Sequence, residues 1–234
     1  MVAYSGEQLV VLRRLLNKDS VFVDVGANQG EFTVCAASVV PCGHVIAVEP
    51  ISSLRERLKL NVEANKFQNV YIWPFGLSDV NKDDVPIFGE DRLFADGTRH
   101  IGLPTLYDID KRRKPIARVD LRKLDDVLKN TQRVDVIKID VEGAELYVLE
   151  GAARTIQREQ PSIIFEANEE TSVAAGYKVK DIYAWLEDRG YSLHRICAHG
   201  ELSTAELGIP FSNILARPRR AESLQATRTV REAS

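Results

Sequence analysis

Val21-Phe22-Val23-Asp24-Val25-Gly26-Ala27-Asn28-Gln29-Gly30 is the stretch whose reading decides the fold. A brief β-branched and aromatic run ended by a glycine predicts a strand buried on both faces. Gly26 and Gly30 permit a tight turn and a close approach of backbone to a ligand. A dinucleotide-binding turn has the pattern G-x-G-x-x-G, whose middle glycine makes room for a pyrophosphate. Here Asn28 holds the middle position and the third glycine falls one residue early. The loop is therefore shaped for a nucleoside ligand without a diphosphate.

Outward from this loop the strand signal recurs at Val45–Val48, Val70–Trp73, Val134–Ile139 and Ser162–Phe165. Helical spacing separates these runs. Leu54, Leu58 and Val62 mark a helix over residues 52–65, and Leu146, Leu149, Ala153 and Ile156 mark one from about Ala144. Val179, Ile182, Tyr183 and Leu186 mark another, with Gly190 placed to end it. Leu9, Leu12 and Leu16 predict a short helix over residues 7–16, and residues 121–128 read as a further short helix. Tyr191–Ile196 and Asn213–Ala216 are expected to close the sheet as an antiparallel pair. Between residues 80 and 118 glycine, proline and charge break the periodicity, which predicts an insertion with short strands covering a site. Alternating buried strands and amphipathic helices imply an α/β, doubly wound, mainly parallel sheet with helices on both faces. A single domain over residues 1–217 is expected. The tail, residues 218–234, lacks aromatics, carries several arginines and reads as disordered.

Composition narrows the function classes. With 44% hydrophobic and 28% charged residues the 234-residue chain is ordinary for a globular protein. A net charge of −3 gives no electrostatic case for nucleic acid or an acidic membrane. Cys35, Cys42 and Cys197 match no zinc or redox spacing and are read as free buried thiols in a reducing compartment. No apolar run is long enough to span a bilayer, and the first residues lack a signal-peptide pattern. A cytoplasmic protein is expected.

Ligands of such sheets bind beyond the carboxyl ends of the strands, near the switch point. The residues ending those strands are therefore the candidates. Glu49 ends the second strand roughly 20 residues beyond the loop, where a carboxylate accepts bonds from ribose hydroxyls. Asp24 adds a negative charge suited to an ammonium or sulfonium group and poorly suited to phosphate. The fourth strand runs into Lys138-Ile139-Asp140-Val141-Glu142-Gly143-Ala144-Glu145. Asp140 ends that strand, and Glu142 is read as opening the next helix, where unpaired N–H groups favour an acid.

These segments, VFVDVGANQGEFT, AVEP and KIDVEGAELYVLEGA followed by PSIIFE, resemble the FkbM family of methyltransferases. The similarity runs from about Val21 to Arg217, and the KIDVEGAE block is its most specific part. The resemblance implies a seven-stranded sheet of the class I methyltransferase (Rossmann-like) type. It implies S-adenosyl-L-methionine lying over Asp24, Gly26, Asn28, Gly30 and Glu49, with Ser78 and Asp79 near the adenine. It also implies O-methylation of a small-molecule acceptor, a sugar or polyketide-like natural product.

Removing the proton of an alcohol acceptor requires a base, and Asp140, Glu142, Glu166 and His100 are the candidates, the first three preferred. The alternative is a Mg²⁺ ion held by Asp140, Glu166 and Asn168. No metal ligand is assigned from the sequence. Lys111-Arg112-Arg113-Lys114 reads as a solvated loop, with contact to an anionic acceptor as the sharper reading. An NAD-linked oxidoreductase and a non-catalytic nucleoside-binding or scaffold protein are the rival classes. The acceptor and the oligomeric state are not legible.

Overall fold

Short β-branched runs and amphipathic helices do alternate along the chain. The computed structural model describes residues 5–93, 99–107, 114–128 and 133–219. The first half builds α1 (Ser5–Leu15), β1 (Val21–Val25), α2 (Glu31–Val39), β2 (His44–Val48), α3 (Ser52–Ala64) and β3 (Val70–Trp73). Next come β4 (Gly76–Leu77), β5 (Lys82–Leu93), β6 (Arg99–Thr105), β7 (Ala117–Arg122) and the one-turn α4 (Leu124–Val127). The second half adds β8 (Val136–Ile139), α5 (Glu145–Gly151), α6 (Ala153–Glu159), β9 (Ser162–Asn168), α7 (Glu169–Ala174), α8 (Val179–Glu187), β10 (Tyr191–Ile196), β11 (Leu202–Thr204) and β12 (Phe211–Pro218).

The main sheet has the order β11-β10-β12-β9-β8-β1-β2-β3. β9, β8, β1, β2 and β3 are parallel, whereas β12 runs antiparallel to both β9 and β10. The seven expected strands are all present, and the three-residue β11 adds an eighth at the edge. Chain order reverses between β1 and β8, so the switch point lies where Val25 and Ile139 end. Period-two alternation sorts the core into two sides. Val23, Val25, Ile137 and Ile139 face Leu146, Leu149, Ile156 and Ile182. Phe22, Val136, Ile164 and Leu215 face Leu12 of α1 and Phe32 and Ala36 of α2.

Residues 80–118 contribute most of a second sheet, ordered β4-β7-β5-β6. The helix expected over residues 121–128 is corrected to the end of β7 plus the single turn α4. Val119 and Leu121 alternate inward along β7 and pack with Ile51, Leu54 and Ile87, so burial at period two outweighs the leucine spacing. The helix expected at Glu142 begins instead at Glu145. Glu142 has φ 52, a left-handed conformation outside any helix. All three cysteines are unpaired, but only Cys35 is buried and Cys42 is exposed. No helix among the described residues is long and apolar enough to cross a membrane. Lys111, Arg112, Arg113 and residues 220–234 of the tail lie outside the described residues.

Gly151 ties the two sheets together. A Cβ there would stand 1.9 Å from the carbonyl oxygen of Ser78, just past β4. Gly→Ala in a helix ordinarily stabilises by about 1 kcal/mol, so the sign of the change is diagnostic here. Gly151→Ala is expected to destabilise by about 2 kcal/mol through overpacking. Thermal unfolding should then show Tm lowered by roughly 4–8 °C; a raised Tm would show that the contact is absent.

Candidate active site

The site begins as a backbone constraint. The N–H groups of Gly26 and Ala27 donate to the carbonyl of Val48, which draws the loop after β1 across the end of β2. Gly26 has φ 78, and a Cβ there would stand 2.0 Å from the carbonyl oxygen of Asp140. No other residue fits. Gly30 has φ 94 and lies so close to Leu58 of α3 that its Cβ would meet Cδ1 at 2.4 Å. Asn28 also takes a left-handed φ of 51. Its N–H donates to Glu49 Oε2 at 2.9 Å, and Ile51 N–H donates to Oε1 at 2.8 Å. Two backbone amides thus fix the Glu49 carboxylate at the end of β2. Burial pushes its pKa up to about 7 despite these two bonds.

Two cavities meet over this loop. The first, of about 230 Å³, is lined by Gly26, Asn28 and Glu49, with apolar walls from Ile51, Leu54 and Leu77. The second sheet closes it with Ile87, Pro104 and Leu121. The second cavity, of about 850 Å³, extends over Gly30, Phe32, Lys138, Glu166 and Asn213. Asp140 and Glu142 line both. The sequence candidates Gly26, Asn28, Gly30, Glu49, Asp140, Glu142 and Glu166 are therefore brought together.

Others are placed elsewhere. Asp24 is fully buried on β1 and lines neither cavity. Its Oδ2 accepts a 2.6 Å bond from the Thr33 hydroxyl, and its Oδ1 is buried without a partner. Ser78 and Asp79 also line neither cavity; Leu77 does, while Ser78 packs against Gly151. His100 lies within β6 of the second sheet. Asn168 is occupied as the cap of α7, its Oδ1 accepting from the N–H of Glu170 at 3.1 Å and of Thr171 at 3.5 Å.

Four residues around the site were given no role by the sequence reading. Lys138, 3% exposed in the middle of β8, donates to Asp140 Oδ2 at 2.9 Å and lies 4.3 Å from the centroid of the Phe32 ring. Burial opposes its charge, but Asp140 and Asp24 outweigh that and raise its pKa. Burial also raises the pKa of Asp24, with Lys138 and Thr33 offsetting part of the effect. A lysine inside an otherwise apolar strand was the available signal. Glu145, 2% exposed, accepts from the N–H of Val141 at 3.2 Å and of Gly143 at 3.1 Å, while Tyr177 Oη lies 3.2 Å from its Oε2. It ties the loop after β8 into a fixed shape. Asn213 stands opposite Glu166 in the β9–β12 ladder. The Thr105 hydroxyl of β6 donates to the Glu142 carbonyl at 2.8 Å and holds the second sheet to that loop.

The electrostatics are strongly one-sided. Burial first, then neighbouring carboxylates, push Glu142 up to about 7 and Glu166 up to about 8. One oxygen from each of Asp140, Glu142 and Glu166 lies within 4.8 Å of the others. The arrangement offers a partly apolar slot of about 230 Å³ with a carboxylate on its rim. Beside it stands an acidic cluster able to take up a proton or hold a cation.

The chain is similar to known methyltransferases. Methyltransferase sdnD of Sordaria araneosa is 28% identical over 207 residues, covering 77% of this chain and 76% of the relative. AMB antimetabolite synthetase AmbE of Pseudomonas aeruginosa is 27% identical over 208 residues, covering 76% of this chain but only 10% of that much longer protein. The fold matches the solved methyltransferase FkbM of Methylobacillus flagellatus with a TM-score of 0.53 at 16% identity, over 86% of this chain and 44% of that one. It also matches a putative methyltransferase of Streptococcus mutans, solved in complex with SAH, with a TM-score of 0.52 at 10% identity over 91% and 95%. The Methyltransferase FkbM domain model matches residues 24–193, and on that match the chain belongs to the FkbM methyltransferase family.

Proposed function

We propose that this chain transfers the methyl group of S-adenosyl-L-methionine to a hydroxyl oxygen of a small acceptor, a sugar or polyketide-like natural product. The observation that carries the reading is Glu49. Each of its oxygens has accepted one backbone bond and keeps a second lone pair for a ribose hydroxyl. The apolar walls at Ile51, Leu54 and Leu77 suit an adenine, and Asn28 stands where a diphosphate-binding loop has its middle glycine.

The cofactor supplies an electrophilic methyl on a positively charged sulfur. In the transfer the carbon–sulfur bond breaks as the carbon–oxygen bond forms, and the hydroxyl proton passes to the protein. Asp140 and Glu142, common to both cavities, and Glu166 beside them are the carboxylates placed to accept it. Their charge also matches the sulfonium that is consumed. The second cavity, larger and walled in part by α1 and α2, is the acceptor's place in this reading. Asp24 and Lys138 act from below, holding Asp140 in position through the 2.9 Å ion pair. Ser78 and Asp79 support the adenine pocket through the backbone of Leu77. A cytoplasmic setting is part of this proposal, supported by the three unpaired cysteines.

Incubation with methyl-labelled cofactor and a panel of sugar and polyketide alcohols should yield a labelled methyl ether. Binding of nicotinamide dinucleotide with no calorimetric heat for S-adenosylhomocysteine would overturn the reading. Cofactor binding with no labelled product on any acceptor would leave a binding role only.

Glu49 gives a second test. Its pKa of about 7 means that the protonated form, which loses an acceptor, dominates below that pH. Affinity for S-adenosylhomocysteine is expected to rise with pH through about 7 and to weaken as pH falls below it. Glu49→Gln should weaken binding by roughly 10- to 100-fold, the worth of a hydrogen bond to a charged group. It should also flatten the pH profile. An unchanged profile in the variant would show that another group governs binding.

A further inference from the structure

We infer that Thr105 is a positioning residue, the point through which the wall of the first cavity sets Glu142 in place for the second. The inference rests on the methyl-transfer reading for what fills the first cavity.

Thr105 ends β6 and is 7% exposed. Its neighbours Pro104 and Leu106 line the first cavity, and Leu106 packs with Ile51 and Leu54 of the apolar wall. Thr105 itself lines neither cavity. Its hydroxyl is used twice instead. The oxygen accepts from the N–H of Tyr107 at 3.2 Å, a bond two residues along the chain that turns the backbone as it leaves β6. The proton is donated to the carbonyl of Glu142 at 2.8 Å.

That carbonyl shares a peptide plane with the N–H of Gly143, which donates to Glu145 Oε2 at 3.1 Å. One peptide unit is therefore clamped at both edges, its oxygen by the second sheet and its nitrogen by the first turn of α5. The clamp sits where the backbone most needs it, since Glu142 has φ 52 and Gly143 has φ 104. A left-handed conformation at a residue with a side chain persists only where its surroundings over-determine it. With the plane fixed, the direction in which the Glu142 side chain leaves the backbone is fixed too, and Glu142 lines both cavities.

A ligand pressing on Pro104 and Leu106 restrains Thr105 between them, and Thr105 passes the restraint to Glu142. A carboxylate placed to take the acceptor's proton is then held most firmly when the slot of the methyl donor is full.

The test reads amide hydrogen exchange residue by residue in the full chain, with S-adenosylhomocysteine as the probe. Tyr107 and Gly143 line neither cavity, so a change at their N–H groups is carried through the backbone and not by contact with the ligand. In the wild type, saturating S-adenosylhomocysteine should slow exchange at both by about fivefold or more relative to the amides of β10, the worth of one hydrogen bond. Thr105→Val keeps the shape and removes the hydroxyl. In that variant the Gly143 response should vanish, and affinity by calorimetry should fall roughly two- to tenfold because the ligand must order a loosened wall. Thr105→Ser restores the hydroxyl and should recover both, which a role in packing alone would not produce. The wild-type and serine measurements decide the matter if the valine variant fails to fold. No binding of S-adenosylhomocysteine to the wild type overturns the methyl-transfer reading and this inference with it. Binding without slowing at Gly143, or equal slowing in wild type and Thr105→Val, overturns this inference alone.

Discussion

The carbonyl oxygen of Asp140 occupies the space in which a side chain on residue 26 would stand. That contact, made at the switch point between β1 and β8, is what the rest of the site depends on. It presses the loop after β1 onto the end of β8, so the nucleoside slot and the acidic cluster share a wall. Gly26, Asn28 and Glu142 all take left-handed backbone conformations within this small region. For the two non-glycine residues that conformation costs of order 1–3 kcal/mol each, a strain retained where function needs a backbone in one place. Glu145, accepting from two amides of the loop between β8 and α5, is the counterweight that keeps the strained segment in register.

Charge is managed with the same economy. Asp24, Asp140, Glu142 and Glu166 gather around Lys138, the one buried ammonium among the described residues, and Glu145 adds a fifth acid beside Asp140. Removing charges from water is expensive, and one cation does not neutralise five acids. The cost shows in Asp24, Glu142, Glu145 and Glu166, which are harder to ionise in the fold than in water. For Glu49, whose folded pKa of about 7 exceeds its ordinary value, the contribution to stability is full below about pH 4.5 and is lost as pH rises toward 7. The fold therefore gives up stability at neutral pH to hold an ionised rim.

Which parts of this were legible beforehand follows from the physics of each signal. Asp24, Gly26, Glu49, Asp140 and Glu166 end, or sit within, buried parallel strands, whose apolar runs are hard to mistake and whose carboxyl ends define the ligand edge. Lys138 was hidden inside such a run, where burial normally excludes charge. Asn213 was not legible at all, because its meaning comes from ladder register with Glu166, far away in the chain. Leu121 was misread because Leu121, Leu124 and Leu128 fit a helix as well as a strand passing into a turn; only packing on Ile51, Leu54 and Ile87 decides. Ser78 and Asp79 follow a strand end as the resemblance implied, yet the fit of Gly151 against Ser78 turns them toward α5 and away from the cavity.

The two cavities differ in what fixes them, and the difference explains why the cofactor side is easier to read than the acceptor side. The first is made by backbone amides, a forced glycine and one carboxylate, all within or next to short motifs, so its chemistry is written locally. The second draws Gln8 from α1, Phe32 from α2, Lys138 from β8, Glu166 from β9 and Phe211 and Asn213 from β12, elements spread over nearly the whole described chain. A wall assembled from so many distant pieces can change its lining one residue at a time without disturbing the loop at Gly26. The contact between Gly26 and Asp140 thus constrains the wall of the first cavity and leaves the more distant lining of the second free to vary.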